Sequence, residues 1–177
     1  TGEAVSGRHV AWGGGVYRSD DGGASWRCMG LTASEHIAAI LIDPRESDTV
    51  HVAAEGPLWS AGGERGLYTT RDGGKTWEPS LTIDDHTGVT SAVFAPDDPD
   101  GGQSWERATK GLPSGDLGKI GLAVTPADPA IVYATIEAPD EPGQHEPTKG
   151  FYRSTDRGGS WERRSGYLSG GTGPHYY

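Results

Sequence analysis

Gly66-Leu67-Tyr68-Thr69-Thr70-Arg71-Asp72-Gly73-Gly74-Lys75-Thr76-Trp77 decides how this chain folds, because its form returns along the sequence. The second half, Thr70-x-Asp72-x-Gly74-x-Thr76-Trp77, recurs as Ser19-x-Asp21-x-Gly23-x-Ser25-Trp26 and as Ser154-x-Asp156-x-Gly158-x-Ser160-Trp161. A fourth copy, Asp100-x-Gly102-x-Ser104-Trp105, keeps the later positions. The first half, Gly-apolar-Tyr, returns as Gly15-Val16-Tyr17 and Gly150-Phe151-Tyr152. Each copy reads as a β-hairpin. The Gly-apolar-Tyr stretch has strand composition, the Asp carboxylate can accept N–H bonds across the turn, and the glycines permit positive φ. The Ser/Thr-Trp pair then re-enters a strand and can bury its indole against a neighbouring layer.

Working outward, the segments between the copies also correspond. Ile37 to Pro44, Val89 to Pro96 and Ile120 to Pro126 are apolar runs closed by a proline turn. They predict strands buried on both faces. A second strand is predicted at Thr49–Glu55 and at Ala130–Ile136. One unit is thus buried strand, proline turn, strand, loop, Gly-apolar-Tyr strand, Asp turn and Trp strand. Four antiparallel strands per repeat is the blade of a β-propeller. The fold class is therefore all-β, with about three and a half blades of a larger ring in residues 1–177 and blade boundaries near 30–36, 80–88, 108–118 and 164–172.

Spacing singles out one unit. Trp26 to Trp77 is 51 residues and Trp105 to Trp161 is 56, but Trp77 to Trp105 is only 28. Aligned on the proline turns, the short unit lacks its second strand and its Gly-apolar-Tyr strand. The reading predicts a chain discontinuity between Asp100 and Gly101.

Composition fits thin layers better than one thick core. Gly 29, Pro 12, Trp 6 and Tyr 7 stand against a hydrophobic content of 33%, which is rich in turns yet too aromatic for a disordered segment. No apolar run approaches the ~18 residues of a membrane-spanning helix. The net charge of −10 disfavours phosphate backbones and anionic headgroups, so neither nucleic-acid binding nor membrane insertion is expected. Cys28 is the sole cysteine, which excludes an intrachain disulfide, and it reads as a small buried hydrophobe. No targeting signal is visible at the start.

The boxes Ser19–Trp26, Thr70–Trp77 and Ser154–Trp161 resemble the Asp-box, or bacterial neuraminidase repeat, of sialidases, xyloglucanases, the sortilin ectodomain and photosystem II assembly-factor propellers. With Gly63 to Tyr68 and Gly150 to Asp156, the chain is most similar to bacterial sortilin-like repeat proteins that carry a glycosyl-hydrolase label. The resemblance implies a ring of about seven blades, export from the cytoplasm, and further β domains. It also implies that the box residues are structural: Ser19, Asp21, Gly23, Trp26; Thr70, Asp72, Gly74, Trp77; Asp100, Gly102, Trp105; and Ser154, Asp156, Gly158, Trp161.

A catalytic centre has little support in the residues. Sialidase chemistry needs an arginine cluster, whereas Arg18, Arg27, Arg71, Arg153, Arg157, Arg163 and Arg164 sit in or beside boxes, where solvent-facing positions are expected. Paired-carboxylate hydrolysis needs two acids about 5 to 9.5 Å apart. Glu35, Asp84, Asp85, Asp116, Asp140 and Glu141 are the loop candidates, and none lies in a xyloglucanase-like catalytic sequence. His9, His36, His51, His86, His145 and His175 show no paired spacing, and Asp97 to Asp100 is a proline turn rather than a calcium loop, so no metal or cofactor is expected. Residues 56–63 and 138–149 are the longest irregular stretches, and binding sites concentrate on such loops. Trp59 is the candidate for a partner surface. The expected function is a non-catalytic extracytoplasmic propeller serving a protein partner or larger complex as scaffold, assembly factor or accessory subunit. The alternative is a carbohydrate-active hydrolase with carboxylates in a central cleft and a glycan as its ligand.

Overall fold

The structure, a computed structural model, describes residues 2, 11–98, 102, 104–138 and 149–166. It is all-β, with ten strands: β1 (Tyr17–Arg18), β2 (Arg27–Cys28), β3 (Ile37–Ile42), β4 (Val50–Ala54), β5 (Gly66–Thr70), β6 (Glu78–Leu81), β7 (Ile120–Val124), β8 (Val132–Ile136), β9 (Gly150–Ser154) and β10 (Glu162–Ser165). A 3-10 turn at Thr32–Ser34 precedes β3. Every pairing is antiparallel between sequence neighbours, giving the hairpin β1-β2 and two four-stranded meanders, β3-β4-β5-β6 and β7-β8-β9-β10. Each meander is one propeller blade. The chain divides into two compact units between Ala92 and Val93, one with each four-stranded sheet.

Strand alternation decides the core of each unit. In the first, Val52 pairs with Tyr68 and Val50 with Thr70. That face packs with Val16, Met29 and Leu31 from the β1-β2 hairpin, together with Ile37 and Trp77. In the second, Ala134 pairs with Tyr152 and Val132 with Ser154, and the core is Ala134, Ile136 and Tyr152 packed by Leu112, Leu117, Ile120, Leu122 and Trp161. The two sheets repeat each other's register and bury the same face.

Three expectations are corrected. The first strand of each blade is not buried on both faces: β3 and β7 are edge strands, and Ile40 and Ile42 are 41% and 56% exposed. Residues 89–96 form no strand beyond an isolated Ala95–Asp98 bridge, because the chain supplies no second strand to pair with the run before Trp105. Cys28 is exposed rather than buried, since β2 is the outer strand of a two-stranded hairpin. The junction between Asp100 and Gly101 lies outside the described residues.

Candidate functional site

The boxes are built from short local bonds. In the second, Thr70 Oγ1 donates to Asp72 Oδ1 at 2.7 Å and accepts the Gly74 N–H at 2.9 Å. Asp72 Oδ1 accepts the N–H groups of Lys75 (2.9 Å) and Thr76 (3.0 Å), and Oδ2 accepts the Thr76 hydroxyl at 2.7 Å. Ser19, Asp21, Gly23 and Ser25 repeat this wiring, as do Ser154, Asp156, Gly158 and Ser160. A carboxylate held by several donors is stabilised in its charged form. Hydroxyl and backbone donors from Ser25 hold Asp21 at about 2, the Ser160 and Ser154 hydroxyls hold Asp156 at about 2, and Asp72 is pushed lower still by the Thr76 N–H and hydroxyl. Such groups are poor general acids, because they surrender no proton near neutral pH. In the fourth box Asp100 lies outside the described residues, Gly102 has φ +89° and Trp105 is exposed.

The tryptophans of the three complete boxes differ in what they touch. Trp26 and Trp161 donate Nε1–H to the carbonyls of Gly23 and Gly158 in their own boxes. Trp77 instead donates to the Met29 carbonyl of the β1-β2 hairpin at 2.6 Å, and Arg18 of β1 donates to the Gly73 carbonyl at 3.3 Å. The box therefore joins its blade to the hairpin before it. A concavity of about 170 Å³ lies beside this box, lined by Thr69, Thr70, Arg71, Asp72, Thr76 and Glu78. It is below the ~300 Å³ of a ligand site, and its Asp72 carboxylate is already saturated by the turn.

The other end of the first sheet is different in kind. β5 begins at Gly66 and ends at Thr70, so the 55–65 connection and the box turn stand at opposite ends of one strand. Arg65, almost fully buried, gathers this connection: Nη1 donates to the Glu55 carbonyl at 2.7 Å, Nε to Gly62 at 2.9 Å, and Nη2 to Ser60 at 2.6 Å and to Pro57. Its N–H donors go to four main-chain carbonyls, which fixes the loop that carries Trp59. That indole is 73% exposed. Glu64 ties the loop to the turn before β3, its N–H donating to the Ala33 carbonyl and its Oε2 accepting the Ala33 N–H at 2.8 Å. On the far side of that turn, the Gly13 N–H donates to the Glu35 carbonyl at 2.8 Å and places Trp12, 71% exposed, at the same end. Leu31 and Glu35 hold φ of +52° and +57°, a conformation that costs non-glycine residues about 1–3 kcal/mol and gathers at functional sites. His36 is fully buried, with Nδ1 3.2 Å from the Gly56 carbonyl and no partner for Nε2 among the described residues.

Of the candidate carboxylates, Glu35, Asp84 and Asp85 come to this end; the Gly62 N–H donates to the Asp85 carbonyl at 2.8 Å. N–H bonds from His86 and Thr87 hold Asp84 below the usual carboxylate range, the wrong direction for a proton donor. Asp116 lies in the second unit, and Asp140 and Glu141 are outside the described residues, as are His9, His145 and His175. Among the described residues no group of three His, Cys, Asp or Glu side chains could hold a metal ion. Sequence reasoning marked Trp59 but missed Trp12 and the Arg65 clamp. The one available signal was a basic residue before the strand glycine, at Arg65-Gly66 and again at Lys149-Gly150.

Residues 68–79 match the BNR/Asp-box repeat family. No curated protein matches the chain. Among solved structures, an ancestral GH74 enzyme is similar at TM-score 0.61 and 19% identity over 85% of this chain. The GH74 xyloglucanase of Xanthomonas campestris is similar at TM-score 0.58 and 20% identity, again over 85%. The chain spans 21% and 27% of the lengths of those two proteins. At these identities the likeness is one of fold, a β-propeller with Asp-box repeats.

Proposed function

We propose that this chain belongs to a non-catalytic propeller that binds a protein partner outside the cytoplasm, as a scaffold, assembly factor or accessory subunit. The observation that carries this reading is the Arg65-clamped connection, which holds the exposed Trp59 indole on a loop already folded by its own hydrogen bonds. Tryptophan is the residue type most enriched among binding anchors, and a loop fixed before binding loses little entropy on complex formation. Repeats of this family are typical of extracellular proteins, which supports placement outside the cytoplasm.

The test is a photo-crosslinking residue at position 59 of the full-length protein in its native host. A discrete covalent adduct that is lost when the probe is moved to Glu162, on β10, is expected; adducts of equal yield from both positions contradict the reading. A second reading, a carbohydrate-active hydrolase, is favoured by the likeness to GH74 enzymes, one of them a xyloglucanase. New reducing ends from xyloglucan, another β-glucan or a sialoside, released by the full-length protein, would replace the first reading with the second.

A further inference from the structure

On the face of the first sheet turned away from the Val16 cluster, side-chain hydrogen bonds cross three strands in a row. His51 of β4 has Nδ1 2.8 Å from the Thr69 hydroxyl of β5, and that hydroxyl is bonded in turn to the Ser80 hydroxyl of β6. Register brings the three together. His51 pairs directly with Thr69, while Tyr68 pairs with Pro79 and Leu67 with Leu81, so Ser80 is the extra residue of a β-bulge. β6 is the outer strand of its sheet. Its ladder to β5 is interrupted by that bulge, and the neighbouring Pro79 has no N–H to give. The Thr69–Ser80 bond therefore ties down a strand that its backbone holds weakly. The second sheet has the same register and the same bulge, but the matching residues are Tyr133, Arg153 and Arg164. The blade fold itself does not require the chain of hydroxyls.

Thr69 is 2% exposed, which shuts water out of the middle of the chain, and a hydroxyl has a single hydrogen to donate. We infer that His51, Thr69 and Ser80 form a proton sensor that works by reversing the direction of this chain. Neutral His51 accepts at Nδ1 from Thr69, which accepts from Ser80. Protonated His51 donates from Nδ1, Thr69 turns its hydrogen to Ser80, and Ser80 gives its own hydrogen outward; each hydroxyl keeps one hydrogen throughout. A proton taken up on β4 is thus reported on β6. Burial, then the Arg71 guanidinium, holds His51 below the ordinary histidine value, against an opposite pull from Asp43. Among the described residues the charged groups around it on this face are Asp43 with Arg45 after β3 and Arg71 with Glu78 beside β6. A folded histidine that resists its proton contributes stability above the unfolded value of ~6.5 and loses it as pH falls through the folded one. The outer strand is therefore expected to loosen on mild acidification, before the box aspartates titrate.

The experiment follows the ring nitrogens of the full-length protein, isotope-labelled at histidine, by NMR from pH ~8 to ~5. The His51 signals are those absent from His51→Gln. At the alkaline end Nδ1 is expected to carry no hydrogen and Nε2 to carry one; a hydrogen on Nδ1 there overturns the inference. Ser80→Ala leaves the cationic chain with a buried Thr69 O–H and no acceptor, whereas the neutral chain loses only a donor to a spare lone pair. The His51 midpoint is therefore expected to move to lower pH although no charge has been altered. Ser114→Ala, which removes an exposed hydroxyl of the second unit, is expected to leave the midpoint in place. No movement in Ser80→Ala, or an equal movement in Ser114→Ala, overturns the inference, and unchanged thermal unfolding of both variants shows that the fold is intact. Hydrogen-exchange protection of the β6 amides is expected to fall between pH ~7 and ~5 in the wild type and to hold steady in His51→Gln. An equal fall in both removes His51 as the sensor.

Discussion

The Asp-box hydroxyl shows how one motif carries different weight in different surroundings. Thr70 is buried, whereas Ser19 is half-buried in an otherwise exposed turn. Thr70→Val leaves the Gly74 N–H without its acceptor in a buried place, and a loss of about 1–3 kcal/mol is expected from urea unfolding. Ser19→Ala, with water at hand, is expected to lose less than about 1 kcal/mol. The position after the box Asp is a second case. Gly73 has φ +72°, and a Cβ there would meet Arg18 Nη1 at 2.6 Å and Asp48 Oδ1 at 2.8 Å. The same position in the last box holds Arg157 at φ +59°, tolerated where its side chain reaches out to Asp97. Gly73→Ala is expected to destabilise by about 1–2 kcal/mol, while Arg157→Gly leaves stability within about 1 kcal/mol, relief of strain offsetting the added chain entropy and the lost exposed pair. The box aspartates also set the acid limit. Their folded values, about 2 for Asp21 and Asp156, lie below the ~3.9 of an unfolded aspartate. The folded state thus binds fewer protons, and the stabilisation is complete above pH ~4 and lost as pH falls toward ~2. Urea midpoints measured through that window are expected to drop, and Asp72→Asn to shallow the drop; an unaltered slope contradicts the assignment.

Elements were legible in the sequence to the degree that their bonds are local. The box spans eight residues and satisfies itself through partners two to four positions apart, so composition and spacing alone expose it. The proline-closed runs were legible as strands but not in their burial, because exposure of Ile40 and Ile42 depends on β3 lying at a sheet edge. The Arg65 clamp was illegible for another reason: its acceptors are carbonyls, which every residue has, in a loop that does not repeat. Hydrogen exchange of Arg65→Ala is expected to show faster exchange across 55–64 with β4 and β5 amides still protected; loss of protection throughout the sheet would make Arg65 a general stabiliser rather than a loop clamp. The tryptophans divide the same way. Trp77→Phe removes the bond to Met29 and is expected to destabilise by about 0.5–1.5 kcal/mol beyond any packing loss, with the β1-β2 hairpin exchanging faster. Trp26→Phe, at an indole 63% exposed, is expected to be near neutral.

For the whole molecule, the repeat arithmetic and the two sheets state the same unit, and the short interval from Trp77 to Trp105 departs from it. We expect the coding sequence or an intact-mass measurement to place about 25 further residues between Asp100 and Gly101, the length of the strand, loop and strand that the other units contain there. A continuous chain of the length given would require this unit to have shed half a blade. One feature bears on how such a molecule could have arisen. The outward bond of Trp77 goes to the Met29 main-chain carbonyl, an acceptor that exists whatever side chain occupies the position, while the side-chain bonds of Thr70, Asp72 and Thr76 are internal to the box. A copy of the unit inserted by gene duplication would arrive with its turn already wired and would need only a backbone to hold. Lengthening the array therefore requires no matched substitutions in the neighbour, which leaves the loops at the opposite end free to diverge and acquire partners while the repeat itself stays recognisable.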